Sequence, residues 1–199
     1  MTKLTSLIRW TLPLMAGVTL ACSSDDSTGP RGQQPTATAN LTVDASTATA
    51  YVALGATAHT VVVADSSTSL AWDLSVNATK VLLNGGTIGI AGVTAYCVCT
   101  NESMTSEQVM ALTANGQAAA FEAVTASDIP SDASFSATVF TEHPWYRYNL
   151  TGSDHQIWPL FHVYLIKRGT SVYKVQFTSY YNASGSPRHV TFRYARIKN

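Results

Sequence analysis

The side chains able to do chemistry are few. Cys97 and Cys99 stand two residues apart in Ala95-Tyr96-Cys97-Val98-Cys99-Thr100, and a third cysteine, Cys22, follows Ala21 near the start of the chain. Five histidines are spread out: His59, His143, His155, His162 and His189. Residues i and i+2 of one strand share a face at a spacing near the upper limit for a disulfide. The reading favoured for Cys97 and Cys99 is therefore two small buried side chains, with a strained bridge or a ligand role as alternatives. Surface positions at strand starts account for His59 and His189. His143 and His155 are expected in loops near Trp145, Tyr146, Tyr148 and Trp158, where imidazoles can flank a flat aromatic ligand. Imidazole is also a good iron ligand. Asp73 follows Trp72 inside an expected strand, where it should face outward or accept a local hydrogen bond. There is no Gly-x-Ser-x-Gly, phosphate-binding glycine loop, His-Glu-x-x-His or paired zinc-ligand motif, so an enzyme is not expected.

Composition narrows the partners. The chain has 199 residues, with 12 basic and 12 acidic side chains. That balance lacks the basic footprint of a nucleic-acid binder. Only 12% of residues are charged, while Thr, Ser, Ala and Val abound, a composition that favours strands.

The amino-terminal region reads as an export signal. Lys3 and Arg9 precede a short apolar run ending at Ala21-Cys22. A basic start, an apolar stretch of about 7–15 residues and a small residue before the cut define a secretory leader. The run is too short to span a bilayer, which takes about 20 residues. Residues 1–21 are expected to be a signal peptide and Cys22 a lipid-accepting new terminus. Residues 22–40, rich in Ser, Thr, Gly and Pro, cannot bury enough apolar surface to order themselves and are expected to form a tether. Residues 41–199 are the expected domain.

Within 41–199, short alternating segments separated by turn signals predict an all-β, antiparallel domain. Strands are expected at 41–44, 49–54, 59–64, 70–76, 80–83, 94–98 and 145–149. A carboxy-terminal meander is expected from 163–167, 171–180 and 189–197. One short helix is expected near 105–113, because Thr105 and Gln108 have capping-box spacing and Met104 and Val109 can staple it.

Several of these stretches carry a resemblance. Trp145-Tyr146-Arg147-Tyr148-Asn149, Val163–Arg168, Lys174-Val175-Gln176-Phe177-Thr178-Ser179-Tyr180 and Val190–Tyr194 resemble the HmuY-like haem-binding lipoproteins. Leu70-Ala71-Trp72-Asp73-Leu74, followed by Asn84-Gly85-Gly86, is similar to that family's Trp-Asp strand and the turn after it. The resemblance implies an all-β domain tethered through a lipidated cysteine, which agrees with Cys22. It implies haem captured for iron acquisition, with axial ligation by two His, two Met or one of each. The family's second ligand position falls on Leu150, which cannot ligate, while His155 lies five residues on in the same loop. The region of the first ligand offers Met104 and Met110 but no His. His155, with His143 or Met110 as partner, is thus the candidate haem pair. The implied location is the bacterial cell envelope, as an outer-membrane lipoprotein facing the surface or periplasm. The implied partners are haem or a haem-carrying protein, the membrane through the lipid anchor, and an outer-membrane transporter. The alternative is a non-haem surface module of the same fold that recognises a protein or other envelope partner.

Overall fold

The computed structural model describes residues 36–199. The expected signal segment, Cys22 and most of the tether lie outside the described residues. The domain starts earlier than its expected boundary at 41. Thr36 already exchanges bonds with Arg196, through its amide at 3.0 Å and its Oγ1 at 2.7 Å, and the first strand begins at Ala39.

Eleven strands, three short α-helices and two single 3₁₀ turns follow one another among the described residues. A five-stranded antiparallel sheet has the order β1 (Ala39–Asp44), β11 (Pro187–Lys198), β10 (Ser171–Tyr181), β9 (Val163–Arg168), β6 (Thr94–Val98). A four-stranded sheet has the order β3 (His59–Val61), β2 (Ala50–Ala53), β4 (Leu74–Asn77), β5 (Lys80–Leu83). A small hairpin joins β7 (Tyr146–Tyr148) to β8 (Ile157–Pro159). The expected all-β class and carboxy-terminal meander are both present, with β9, β10 and β11 as adjacent strands.

The core follows from the alternation of β10. Tyr173, Val175 and Phe177 join Val190, Phe192 and Tyr194 of β11 and Tyr164 and Ile166 of β9. Val52, Leu74, Val76, Val81 and Leu83 of the second sheet belong to the same apolar cluster. Phe177 sits 5.1 Å from the Trp145 ring and 5.7 Å from that of Phe192. Truncating such a residue typically costs about 3–5 kcal/mol.

The opposite face of the meander is also covered, which its polar residues do not suggest. Lys174 and Gln176 are both buried: α2 (Ala118–Ala123) covers Lys174, and Gln176 Nε2 donates to the Phe161 carbonyl at 2.7 Å. Phe121 of α2 packs with Val163, Leu165, Val172, Ala195 and Ile197 in a second cluster. The Lys174 ammonium donates to the Phe121 and Val124 carbonyls at 2.9 and 3.1 Å where α2 ends, and the Phe121 carbonyl also accepts from the Val124 amide.

The expected helix is α1 (Ser106–Met110). Its capping box is formed: Gln108 N donates to Thr105 Oγ1 and Thr105 N to Gln108 Oε1. It is shorter than expected because the chain leaves the helix at Ala111. α3 (Val139–Glu142) precedes the β7–β8 hairpin and was not expected, nor were α2 and β8.

Three expectations are corrected. The strand foreseen over 70–76 begins only at Leu74, and Leu70 is exposed. Asp73 does not face outward but is fully buried. Its Oδ1 accepts from Arg168 Nη1 at 2.6 Å and its Oδ2 from the Leu54 amide at 2.5 Å. A carboxylate tying two sheets together bends the chain out of strand geometry just before β4. Cys97 and Cys99 are not two free thiols but a disulfide, with Cα atoms 5.2 Å apart. Extended strand would place them about 6.6 Å apart, and contraction where β6 ends brings the sulfurs together.

Candidate functional site

The Trp-Asp and Asn-Gly motifs turn out to be structural. Asn84 is buried, donating through Nδ2 to the Ser69 and Trp72 carbonyls at 2.9 and 2.8 Å. Its Oδ1 accepts from the Ile90 and Ala91 amides at 3.0 and 3.2 Å. Backbone passes so closely here that a Cβ on Gly85 would stand 2.1 Å from the Val93 carbonyl oxygen, and one on Gly89 2.0 Å from Asn84 Oδ1. Every polar group of this knot is matched, so nothing is left to bind a ligand.

The candidate haem ligands separate into two places. His155 lies in the loop between β7 and β8 at φ +52°, exposed, with its amide donating to Asn149 Oδ1. Its Nδ1 shares a 2.7 Å hydrogen bond with the Tyr148 hydroxyl, and the two rings stand 6.0 Å apart. A partner on Nδ1 fixes the ring and leaves Nε2 available, as in metal-binding imidazoles whose other nitrogen is held by a hydrogen bond. Met110 ends α1, half-buried, and α1 packs on β8, the strand that follows the His155 loop. Leu150 is half-buried in the same loop.

His143 is elsewhere. It caps the end of α3 before β7, whereas Tyr148 and His155 stand at the far end of that strand. Five residues of near-extended chain span about 15 Å, so His143 and His155 do not meet. His143 Nδ1 instead pairs with Glu102 Oε1 at 2.5 Å.

Around His143 the structure gathers side chains that no spacing in the sequence connects. Ligand atoms of Cys97, Cys99 and His143 lie within 4.8 Å of one another, as do those of Cys99, Glu102 and His162. His162 is 1% exposed, and neither ring nitrogen has a hydrogen-bond partner. Burial pushes its pKa down to about 4, against the opposing pull of the Glu102 carboxylate. Tyr164 is buried beside it, with its hydroxyl donating to the His143 carbonyl at 2.8 Å. Burial, aided by Glu102, raises the Tyr164 phenol well above its usual range. The loop bearing Glu102 is held by Arg147, whose guanidinium donates to the Glu102 and Met104 carbonyls. Asn101 fastens the same loop to the Leu160 carbonyl at 2.8 Å. The residue before His162, Phe161, has φ +54°, a rare conformation for a bulky side chain. The only hint of His162 in the sequence was a histidine set within the apolar run Leu160-Phe161-His162-Val163.

The geometry can be set beside known proteins. A family model described as HmuY protein matches residues 45–194. No curated protein matches the chain. Three solved structures are similar. A protein described as a lipoprotein from Bacteroides fragilis is 16% identical, covers 79% of this chain and 88% of its own, and gives a TM-score of 0.48. A HmuY-like heme binding protein from Bacteroides vulgatus is 18% identical over 79% of this chain and 90% of its own, with a TM-score of 0.46. An apo HmuY analog from Tannerella forsythia is 13% identical over 85% of this chain and all of its own, with a TM-score of 0.48.

Proposed function

Because this chain belongs to the HmuY protein family, we propose that it is a haem-binding lipoprotein of the bacterial cell envelope, acting in iron acquisition. The observation that carries this reading is His155: an exposed imidazole whose Nδ1 is held by Tyr148 and whose Nε2 has no partner among the described residues. Haem, if bound, would supply the iron that the protein captures. His155 would hold it through an imidazole already oriented by Tyr148, and the thioether of Met110 is the candidate second ligand. The half-exposed Tyr148 ring gives the porphyrin an aromatic neighbour. Leu150 cannot ligate, so this chain's ligand set differs from the family pattern. Cys22, as the acylated terminus, would hold the domain at the membrane. There haem could be taken from a carrier protein and passed to an outer-membrane transporter.

Haemin titration of the full chain tests the reading. A saturable Soret band is expected. His155→Ala should weaken binding more than about tenfold, equivalent to ~1.4 kcal/mol, and Met110→Ala should shift the band. No saturable band, or an unchanged titration in the double variant, would overturn it and leave a surface module that recognises another envelope partner.

A further inference from the structure

The Cys97, Cys99, Glu102, His143 and His162 cluster is separate from the His155 loop, and the haem reading does not use it. Its five side chains are the preferred ligands and ligand-orienting groups of a thiophilic cation. We propose that reduction of the Cys97–Cys99 disulfide opens a transition-metal site of the Zn²⁺ class, held by the two thiolates, His143 and His162.

Three features carry this. The donors already converge: Cys97, Cys99 and His143 are mutually within 4.8 Å, and His162 is within the same distance of Cys99. A tetrahedral zinc with bonds of about 2.0–2.3 Å sets its ligand atoms roughly 3.3–3.8 Å apart, so Cys97, Cys99 and His143 need only a small contraction, while His162, placed near Cys99 but not near the other two, has to swing further in. Second, His162 is a buried imidazole without a partner on either nitrogen. Buried polar groups are nearly always satisfied by protein, water or ion, and a bound cation is one way to satisfy this imidazole. Third, the outer contacts are those of a metal site. Glu102 occupies Nδ1 of His143, fixing its tautomer in a carboxylate–histidine arrangement and leaving Nε2 as the free ring atom. Arg147 and Asn101 fix the loop that carries Glu102. The rim is accessible, with the His143 side chain 38% and the Glu102 side chain 47% exposed.

The disulfide makes the site conditional. Bonded sulfurs are not thiolates and do not hold the cation. A dithiol donor supplies two electrons and two protons, becoming a disulfide itself as Cys97–Cys99 opens to two thiols. A divalent cation then displaces the two thiol protons and is bound by both sulfurs. In reverse, a disulfide oxidant accepts two electrons and two protons to become two thiols as Cys97–Cys99 re-forms and the cation is released.

The test uses the full chain, reduced anaerobically by a phosphine and titrated with Co²⁺. One equivalent is expected to give tetrahedral d–d bands with thiolate charge-transfer absorption, both lost on adding Zn²⁺. The oxidised chain should give neither. His162→Leu and the Cys97→Ser/Cys99→Ser pair should each weaken binding at least tenfold, and Glu102→Gln by about 10–100-fold. Circular dichroism of each variant establishes that it is folded. A reduced chain that binds no Co²⁺, or serine and leucine variants that are folded and bind it as before, would overturn the proposal. Haemin titration of the serine pair should be unchanged, so this site and the haem reading fail separately.

Discussion

Asp73 and His162 are both buried, both ionisable and both set just before an interior strand, yet their surroundings treat them oppositely. Around Asp73 and Asn84 each donor meets an acceptor, from Arg168 Nη1 to the Ile90 and Ala91 amides. Around His162 two ring nitrogens face neither protein donor nor acceptor. The first arrangement stabilises a fold, since hydrogen bonding offsets the desolvation of each group. The second is a standing cost, which a ligand would remove. Buried polarity is thus of two kinds here, and hydrogen-bond bookkeeping separates them where residue type does not.

The sharpest way to break the contrast is Asp73→Ala. It removes the buried carboxylate that pairs with the partly exposed Arg168 and leaves the Leu54 amide without its acceptor, so unfolding in urea should show a loss of about 3 kcal/mol. Were the loss below 1 kcal/mol, the knot would not be the structural element described.

A pH series on the disulfide-bonded, metal-free chain comes next. The folded His162 protonates near pH 4 because of burial, while an unfolded histidine does so near 6.5. Between these values the unfolded state binds more protons, so stability rises with pH and falls on acidification from 6.5 toward 4. The drop from this group is at most about 3 kcal/mol, moderated by the carboxylate of Glu102 and reinforced by His143 and Arg147. Chemical denaturation at pH 7 and 4.5 should show it in the native chain and not in His162→Leu.

The smallest effect has the opposite sign from the first. At neutral pH, His162→Leu should leave stability unchanged or raise it by roughly 1 kcal/mol, because no hydrogen bond is lost and an unsatisfied polar group is removed. A thermal melt several degrees lower would mean that the imidazole has a structural partner after all.

The meander was legible because β9, β10 and β11 alternate strictly and are joined by short turns, and α1 because its capping box is local. What escaped depends on contacts distant in sequence. The burial of Lys174 needs α2, which arrives from more than fifty residues upstream and has only Phe121 as a buried anchor. The strand foreseen at 70–72 gave way to Asp73, whose partner Arg168 is 95 residues distant. For the site, His155 stood out beside its aromatic neighbours. The His162 cluster did not, since its members come from β6, the loop after it, the end of α3 and the segment before β9.

The position of β1 has a mechanical consequence. It is an edge strand bonded only to β11, and Thr36 adds one more clasp at Arg196. Tension applied through the chain ahead of residue 36 therefore reaches this ribbon before the rest of the sheet. A perpendicular tug would open its rungs one after another at low force, whereas a pull along the strand would load them all together. A domain hung by its amino end thus gives way first at β1, and only from certain directions.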